Sequence, residues 1–299
     1  MRSLATGFLM GVVLLSGCTT APPPDAFREH RDRMEYDGGV HVLTLWMPSW
    51  ETGRDVPSGR ASSGLAAQLL DEAWARFLAV RLCADAAKPD GELTRLLETA
   101  RGRAMPVSDD LFALLKRTME TDLMAPGNGV FGTKRPRLFP ASGTVMFPED
   151  ARAPDLRVIA AGQALDEMVG LLERAGSPHV LAEGPGLWRA GSVPPGKPGW
   201  LVRPFAGQAP VLLPAHRALA VRECDPGGEF PPTRCWVVAA SAAEANAVAA
   251  ALCKTEPGMV RGWIRTRTGV EARFEIPGET GALEIHETPG FSALFWSHE

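Results

Sequence analysis

The period of the apolar residues changes twice along this chain, and that succession limits the fold more than any single motif. Val40-His41-Val42-Leu43-Thr44-Leu45-Trp46 alternates as a strand does. Between Gly64 and Leu82, Leu65, Leu69, Trp74, Phe77 and Val80 recur at near-helical spacing. Ser108, followed by Asp109 and Asp110, reads as the N-cap of a second helix through Leu111, Leu114, Leu115 and Met119. A third is expected from Ala161 to Ala175, stopping at Gly176, which can take the left-handed C-cap conformation. Beyond it the runs are short and β-like: His179 to Ala182, Leu187 to Ala190, Trp200 to Arg203, Ala218 to Arg222 and Cys235 to Ala239. A capping box, Ser241-x-x-Glu244, starts one more helix, and Val260 to Arg267 with Val270 to Ile276 read as a closing hairpin about Gly269. Strands, a helical insert and strands again describe an α+β sandwich over residues 40–299. The 31 glycines and 26 prolines have no period, which argues against a repeat array.

The first residues read as a targeting segment. Arg2 supplies the positive start, Leu4 to Leu15 a short apolar run, and Leu15-Ser16-Gly17-Cys18 the cleavage site of a bacterial lipoprotein. Residues 1–17 are therefore expected to be removed and Cys18 to carry lipid. The run is too short to persist as a membrane span. Thr19 offers no aspartate as an inner-membrane retention signal, so the expected address is the outer membrane's inner leaflet, facing the periplasm. Residues 18–39, with Ala21-Pro22-Pro23-Pro24 and the charged stretch from Arg28 to Asp37, read as a stiff, then solvated linker. Loss of Arg2 moves the net charge from -4 to -5, and a nucleic-acid partner is not expected of so acidic a chain. Cys83, Cys224, Cys235 and Cys253 remain, enough for two disulfides in an oxidising compartment. Cys224 and Cys235 flank a Pro/Gly-rich connection and form the first expected pair, with Cys83 and Cys253 second; buried free thiols are the alternative. No C-x-x-C, H-E-x-x-H or G-x-S-x-G occurs, so zinc and nucleophile-histidine chemistry have no motif.

Two segments carry a family resemblance. Asp155-Leu156-Arg157-Val158-Ile159-Ala160-Ala161-Gly162-Gln163-Ala164-Leu165-Asp166 and Ser241 to Leu252 resemble the two signature stretches of the ApbE-type FAD:protein FMN transferases, D-x-G-G-I-A-K-G-x-A-V-D and A-D-A-L-A-T-A. The chain keeps Asp155, Ile159, Ala160, Gly162 and Asp166. It places Arg157 at a family glycine, Ala161 at the lysine, Asn246 at the aspartate and Ala250 at the threonine. Gly91 to Leu96 is similar to the family's S-E-L-S-x-L, Gly127 to Gly132 to its T-G-G-A-F-D with Phe131 kept, and Glu183-Gly184-Pro185-Gly186 to its glycine pair beside the nucleotide. Asp225-Pro226-x-Gly228 resembles D-P-x-x-G, while the T-S-G expected after Ala220 is absent. In order, these matches run from Leu65 to Val270.

The resemblance implies a T-fold-type sandwich of mainly antiparallel sheet with packed helices, and FAD as the ligand. It implies transfer of FMN from FAD to a threonine or serine of a flavoprotein partner, with AMP leaving and Mg²⁺ on the phosphates. It assigns cofactor contacts to Phe131, Asp155, Gly162, Asp166, Gly184 and Gly186, and the metal-ligand positions to 246 and 250, i and i+4 on one helical face. With Asn246 and Ala250 there, one charge and one ligand are missing, so the expectation is a weakened or inactive transferase that retains a flavin or nucleotide cleft. The alternative is a periplasmic interaction lipoprotein with no ligand. Other roles remain open at single residues: Asp155 as a turn cap, Asp166 paired with an arginine such as Arg174, and Phe131 as core.

Overall fold

The structure, a computed structural model, describes residues 27–48, 64–88, 90–122, 131, 134–151, 154–205, 210–224, 234–254, 262, 268–277 and 282–294. Its centre is one antiparallel sheet. Along the chain the sheet takes β1 (Phe27–Tyr36), β2 (Gly39–Pro48), β6 (Val180–Gly184), β7 (Leu187–Ala190), β10 (Ala218–Glu223), β11 (Arg234–Ala239), β12 (Glu271–Pro277) and β13 (Leu283–Glu287), and these lie in that same order across it. Sequence neighbours are spatial neighbours throughout, and every pairing is antiparallel. Between β2 and β6 the chain inserts α1 (Leu65–Cys83), α2 (Glu92–Thr99), α3 (Asp109–Asp122) and α4 (Arg157–Arg174). The insert also holds a small sheet of β3 (Met105–Pro106), β5 (Thr144–Met146) and β4 (Arg137–Phe139), in that spatial order. A two-stranded ribbon, β8 (Trp200–Val202) with β9 (Val211–Leu213), precedes β10, and α5 (Ala242–Leu252) follows β11.

Alternation in the strands sends side chains to two cores. On one face Leu43, Leu45, Val180, Ala182, Ala220 and Val237 pack with Phe77 of α1, Met168 of α4 and Val248 of α5. On the other Trp188, Trp236 and Val238 pack under Trp200 of the ribbon and Phe291. A third cluster joins α2, α3 and Phe147 to the outer sides of α4 and α5. These tryptophans are thus absorbed by the sheet's second face, with no cofactor needed. None of the described helices is long and apolar enough to cross a membrane.

The caps read from the sequence are formed: Ser108 Oγ accepts from the Leu111 N–H at 3.2 Å and Ser241 Oγ from the Glu244 N–H at 3.2 Å. Gly176 has φ +82° past the end of α4, where the Ser177 N–H returns to the Leu172 carbonyl. Three expectations need correction. Residues 28–37 are not a solvated linker but the strand β1, whose charges alternate with half-buried His30, Asp32, Met34 and Tyr36. Asp37 (φ +53°) and Gly38 (φ +71°) make the tight turn into β2, so the folded body begins by Phe27. The partner that closes the C-terminal hairpin with β12 is β13; Val260 and its neighbours to Arg267 lie outside the described residues, except Gly262.

The third correction is the disulfide, which joins Cys224 to Cys253 with Cα atoms 5.1 Å apart. Cys235 is opposite Arg222 in the β10–β11 register, which leaves Cys224 only its diagonal neighbour, whereas the C-terminal cap of α5 brings Cys253 within bonding range. Cys235 remains a buried thiol 3.6 Å from the Cys224 sulfur and 4.0 Å from that of Cys253. Burial pushes that thiol up to about 12. Cys83 is also free, at the end of α1 with its thiol on the Val80 carbonyl.

Candidate functional site

Where α4 begins, α5 passes and the β1–β2, β6–β7 and β10 ends meet, the molecule has a cleft of about 620 Å³. It is lined by Val158 and Ala161 of α4, Asn246 of α5, Gly186 and Arg222, with His41 beneath. A second cavity of about 820 Å³ shares Tyr36, Asp37, Arg81, Asp155 and Arg157 with it. Each is within the size range of small-molecule sites.

Arg81 fixes one wall. Its Nη1 donates to the Arg157 carbonyl at 3.1 Å and its Nη2 to Asp37 Oδ2 at 2.7 Å, while the guanidinium lies 5.2 Å from the Tyr36 ring centroid. One buried cation therefore joins α1, the β1–β2 turn and the start of α4. His41 sits beside Phe77, ring centroids 4.7 Å apart, with its Nδ1 buried and lacking a hydrogen-bond partner among the described residues. Burial, with Arg81 nearby, holds the imidazole down at about 4, so it is neutral at pH 7.

At the rim, Asp155 and Arg157 answer each other. The Arg157 Nε and Nη2 each donate to the Asp155 carboxylate at 2.8 Å, and the Arg157 backbone N–H adds a third bond at 3.2 Å. Arg157 holds the Asp155 carboxyl below its ordinary value. Both side chains are more than half exposed, Arg157 at 68% and Asp155 at 56%, so Arg157 stands on the edge of the cleft instead of filling it. Gly186 has φ +63°, and a Cβ there would lie 2.4 Å from the Val221 carbonyl oxygen; a side chain is incompatible with this approach of turn and strand. Gly184 leaves room for His41, whose Nδ1 would be 2.9 Å from an added Cβ.

Gly162 and Asp166 do other work. A Cβ on Gly162 would come within 2.4 Å of the Ala243 backbone, so the glycine permits α4 and α5 to cross closely. One turn on, the Asp166 carboxylate accepts from the Ala242 and Ala243 N–H groups at 2.8 and 3.1 Å, capping α5 from outside. Arg189 at 2.9 Å and Arg117 at 3.6 Å, not Arg174, supply the counter-charge. Burial pushes the Asp166 carboxyl up, and these donors oppose the push. Phe131 packs against the α2–α3 cluster. Cys18, Asp225 and Gly228 lie outside the described residues.

Asn246 and Ala250 share the half-exposed face of α5, as their spacing requires. Asn246 Nδ2 donates to the Val158 carbonyl at 2.7 Å. The face is left with one neutral amide oxygen at Asn246, and the alanine methyl offers none. This face does not fit Mg²⁺, a hard cation that needs several oxygen ligands. The wall residues Tyr36, Asp37, His41, Arg81 and Arg222 escape the sequence reading; Asp37-Gly38, a hairpin dipeptide, is the one signal for part of this wall.

No protein-family model matches this sequence, and no curated protein matches it either. Solved structures do. The flavinyl transferase ApbE of Pseudomonas stutzeri, in its apo form, superposes with a TM-score of 0.70 at 17% identity, covering 90% of this chain and 98% of that one. The flavin transferase ApbE from Vibrio cholerae gives 0.66 at 15% identity, over 89% and 100%. The ApbE protein of Thermotoga maritima gives 0.66 at 13% identity, over 90% and 100%. At such identities the agreement speaks for architecture, and it extends over nearly the whole of each chain: the fold of this protein is that of the ApbE flavin transferases.

Proposed function

We propose that this protein binds a flavin or adenine nucleotide in the cleft between α4, α5 and the sheet, and that it has lost metal-supported FMN transfer. The fold and the order of the signature segments support the cleft. The observation that carries the loss is the chemistry of the 246/250 face: a neutral amide whose Nδ2 is held by the Val158 carbonyl, and an alanine four residues on. In phosphoryl transfer the protein's task is positioning and charge neutralisation, and a face offering one neutral amide oxygen, with no carboxylate or hydroxyl, is a poor holder of the cation that does the latter. The ligand-free reading depends on Arg157 occupying the nucleotide's space, and its bidentate pairing with Asp155 at the rim favours an open cleft.

The test is AMP release from FAD with Mg²⁺ and an acceptor peptide, beside a fluorescence titration with FAD. Binding without AMP release is the expected result. Robust release would overturn the loss of transfer, and absence of FAD binding would overturn the cleft reading. The same proposal keeps Cys18 as a lipid anchor holding the domain on the outer membrane's periplasmic side; Cys18→Ser should abolish lipid labelling.

A further inference from the structure

We infer that Arg222 takes over the charge role of a divalent cation, making the cleft a site for the diphosphate of a nucleotide that fills without metal. The inference rests on the nucleotide-binding reading above and deepens it.

Arg222 lies on β10, directly opposite Cys235, and lines the cleft together with Asn246, Val158 and Gly186. It occupies the stretch Val221-Arg222-Glu223, where the family resemblance expects T-S-G. The surrounding carboxylates are engaged elsewhere: Asp155 with Arg157, Asp37 with Arg81, and Glu223 with Arg234 at 3.3 Å. Among the described residues Arg222 forms no ion pair or hydrogen bond, and its burial pulls the guanidinium below its ordinary value. The guanidinium is half-buried, and the carboxylate that acts on it, Asp155, is shared with Arg157, so its charge is only partly compensated. The cleft it faces is where a compensating anion can enter.

A guanidinium presents a planar fork of donors that matches two phosphate oxygens at once, which an ammonium does not. The floor beside it is backbone and proline, because Pro185-Gly186 closes directly on Val221, whose N–H donates to the Gly186 carbonyl at 2.7 Å. The exchange is also consistent in sign. The 246/250 face lacks the carboxylate and hydroxyl that recruit a cation, and position 222 contributes a positive charge to the cleft that Asn246 lines. Charge neutralisation by arginine supports binding and positioning; it supplies no metal to activate an incoming hydroxyl.

The experiment titrates the purified protein with FAD, ADP and FMN, each with Mg²⁺ and again with EDTA. FAD and ADP should bind equally well in both, and the monophosphate FMN more weakly. Arg222→Gln should weaken FAD and ADP roughly tenfold or more, with Arg222→Lys intermediate because charge survives and the fork does not. FAD binding that requires Mg²⁺ overturns the inference and leaves the nucleotide reading standing; so does unchanged affinity in a folded Arg222→Gln. Should that variant not fold, the Mg²⁺ and EDTA comparison on the unaltered protein decides alone. Failure of both FAD and ADP to bind under either condition removes the nucleotide reading itself.

Discussion

The crossing of α4 over α5 and the cleft beside it are built from the same two helices, yet they differ in how much their signature residues are asked to do. At the crossing, Gly162 and Asp166 are held by backbone: one by a 2.4 Å approach that excludes a side chain, the other by two N–H groups. At the cleft, Ala161, Asn246 and Ala250 occupy the positions where the resemblance expects lysine, aspartate and threonine, and only Asn246 makes a polar contact, to a carbonyl. The lesson is that a motif mixes residues that build a helix pair with residues that face a ligand. The first group can remain while the second changes, because packing and chemistry make separate demands on neighbouring turns.

The most direct way to break this comparison is at Asp166. Asp166→Ala leaves Arg189 and Arg117 without their carboxylate and the Ala242 and Ala243 N–H groups of α5 without their acceptor, and should cost about 3–5 kcal/mol of stability in denaturant unfolding. A loss under about 1 kcal/mol would mean that Asp166 is not the clamp described.

His41 tests the cleft side. Its pKa is about 4 when folded against an ordinary 6.5. Between those values the unfolded chain binds the proton and the folded one does not, so stability is full above pH 6.5 and falls as the pH drops towards 4. The loss reaches at most about 3 kcal/mol at the acid end. Thermal melts of the wild type and His41→Gln across this range should converge as the pH falls, since the variant lacks the titrating group. Parallel profiles would place the imidazole in water.

Gly162→Ala should cost about 1–3 kcal/mol, because the added methyl meets backbone that cannot swing aside. Asn246→Ala, on the cleft face, should cost about 0.5–1.5 kcal/mol for one lost hydrogen bond. Urea midpoints of the two variants measure the contrast directly, and a larger loss at Asn246 than at Gly162 would reverse the assignment of roles.

Much of the frame was legible because it depends on local rules. Ser108 and Ser241 cap their helices as the residues after them demand, and the i, i+4 spacing placed Asn246 and Ala250 on one face. What was missed depends on partners far along the chain. The charges of β1 resemble a solvated tether until β2 supplies its register, although Asp37-Gly38 already had the composition of a hairpin turn. Asp166 looks like a ligand because the cap it provides belongs to a helix 76 residues later. Cys224 and Cys235 look paired because the connection between them is short. The sheet register makes them diagonal neighbours, and Cys253 reaches Cys224 only through the packing of α5.

The β1–β2 turn carries a further consequence. Tyr36 and Asp37 come from the first described hairpin, Arg81 from α1 and Asn246 from α5, and all four border the cleft. Such contacts close loops of great length, and the entropy of closing them must be met before the cleft exists. A growing chain therefore has no binding site until α5 has been made and the first hairpin has docked. A ligand held there stabilises the completed molecule as a whole and none of its parts, which makes occupancy a report on whether folding has finished.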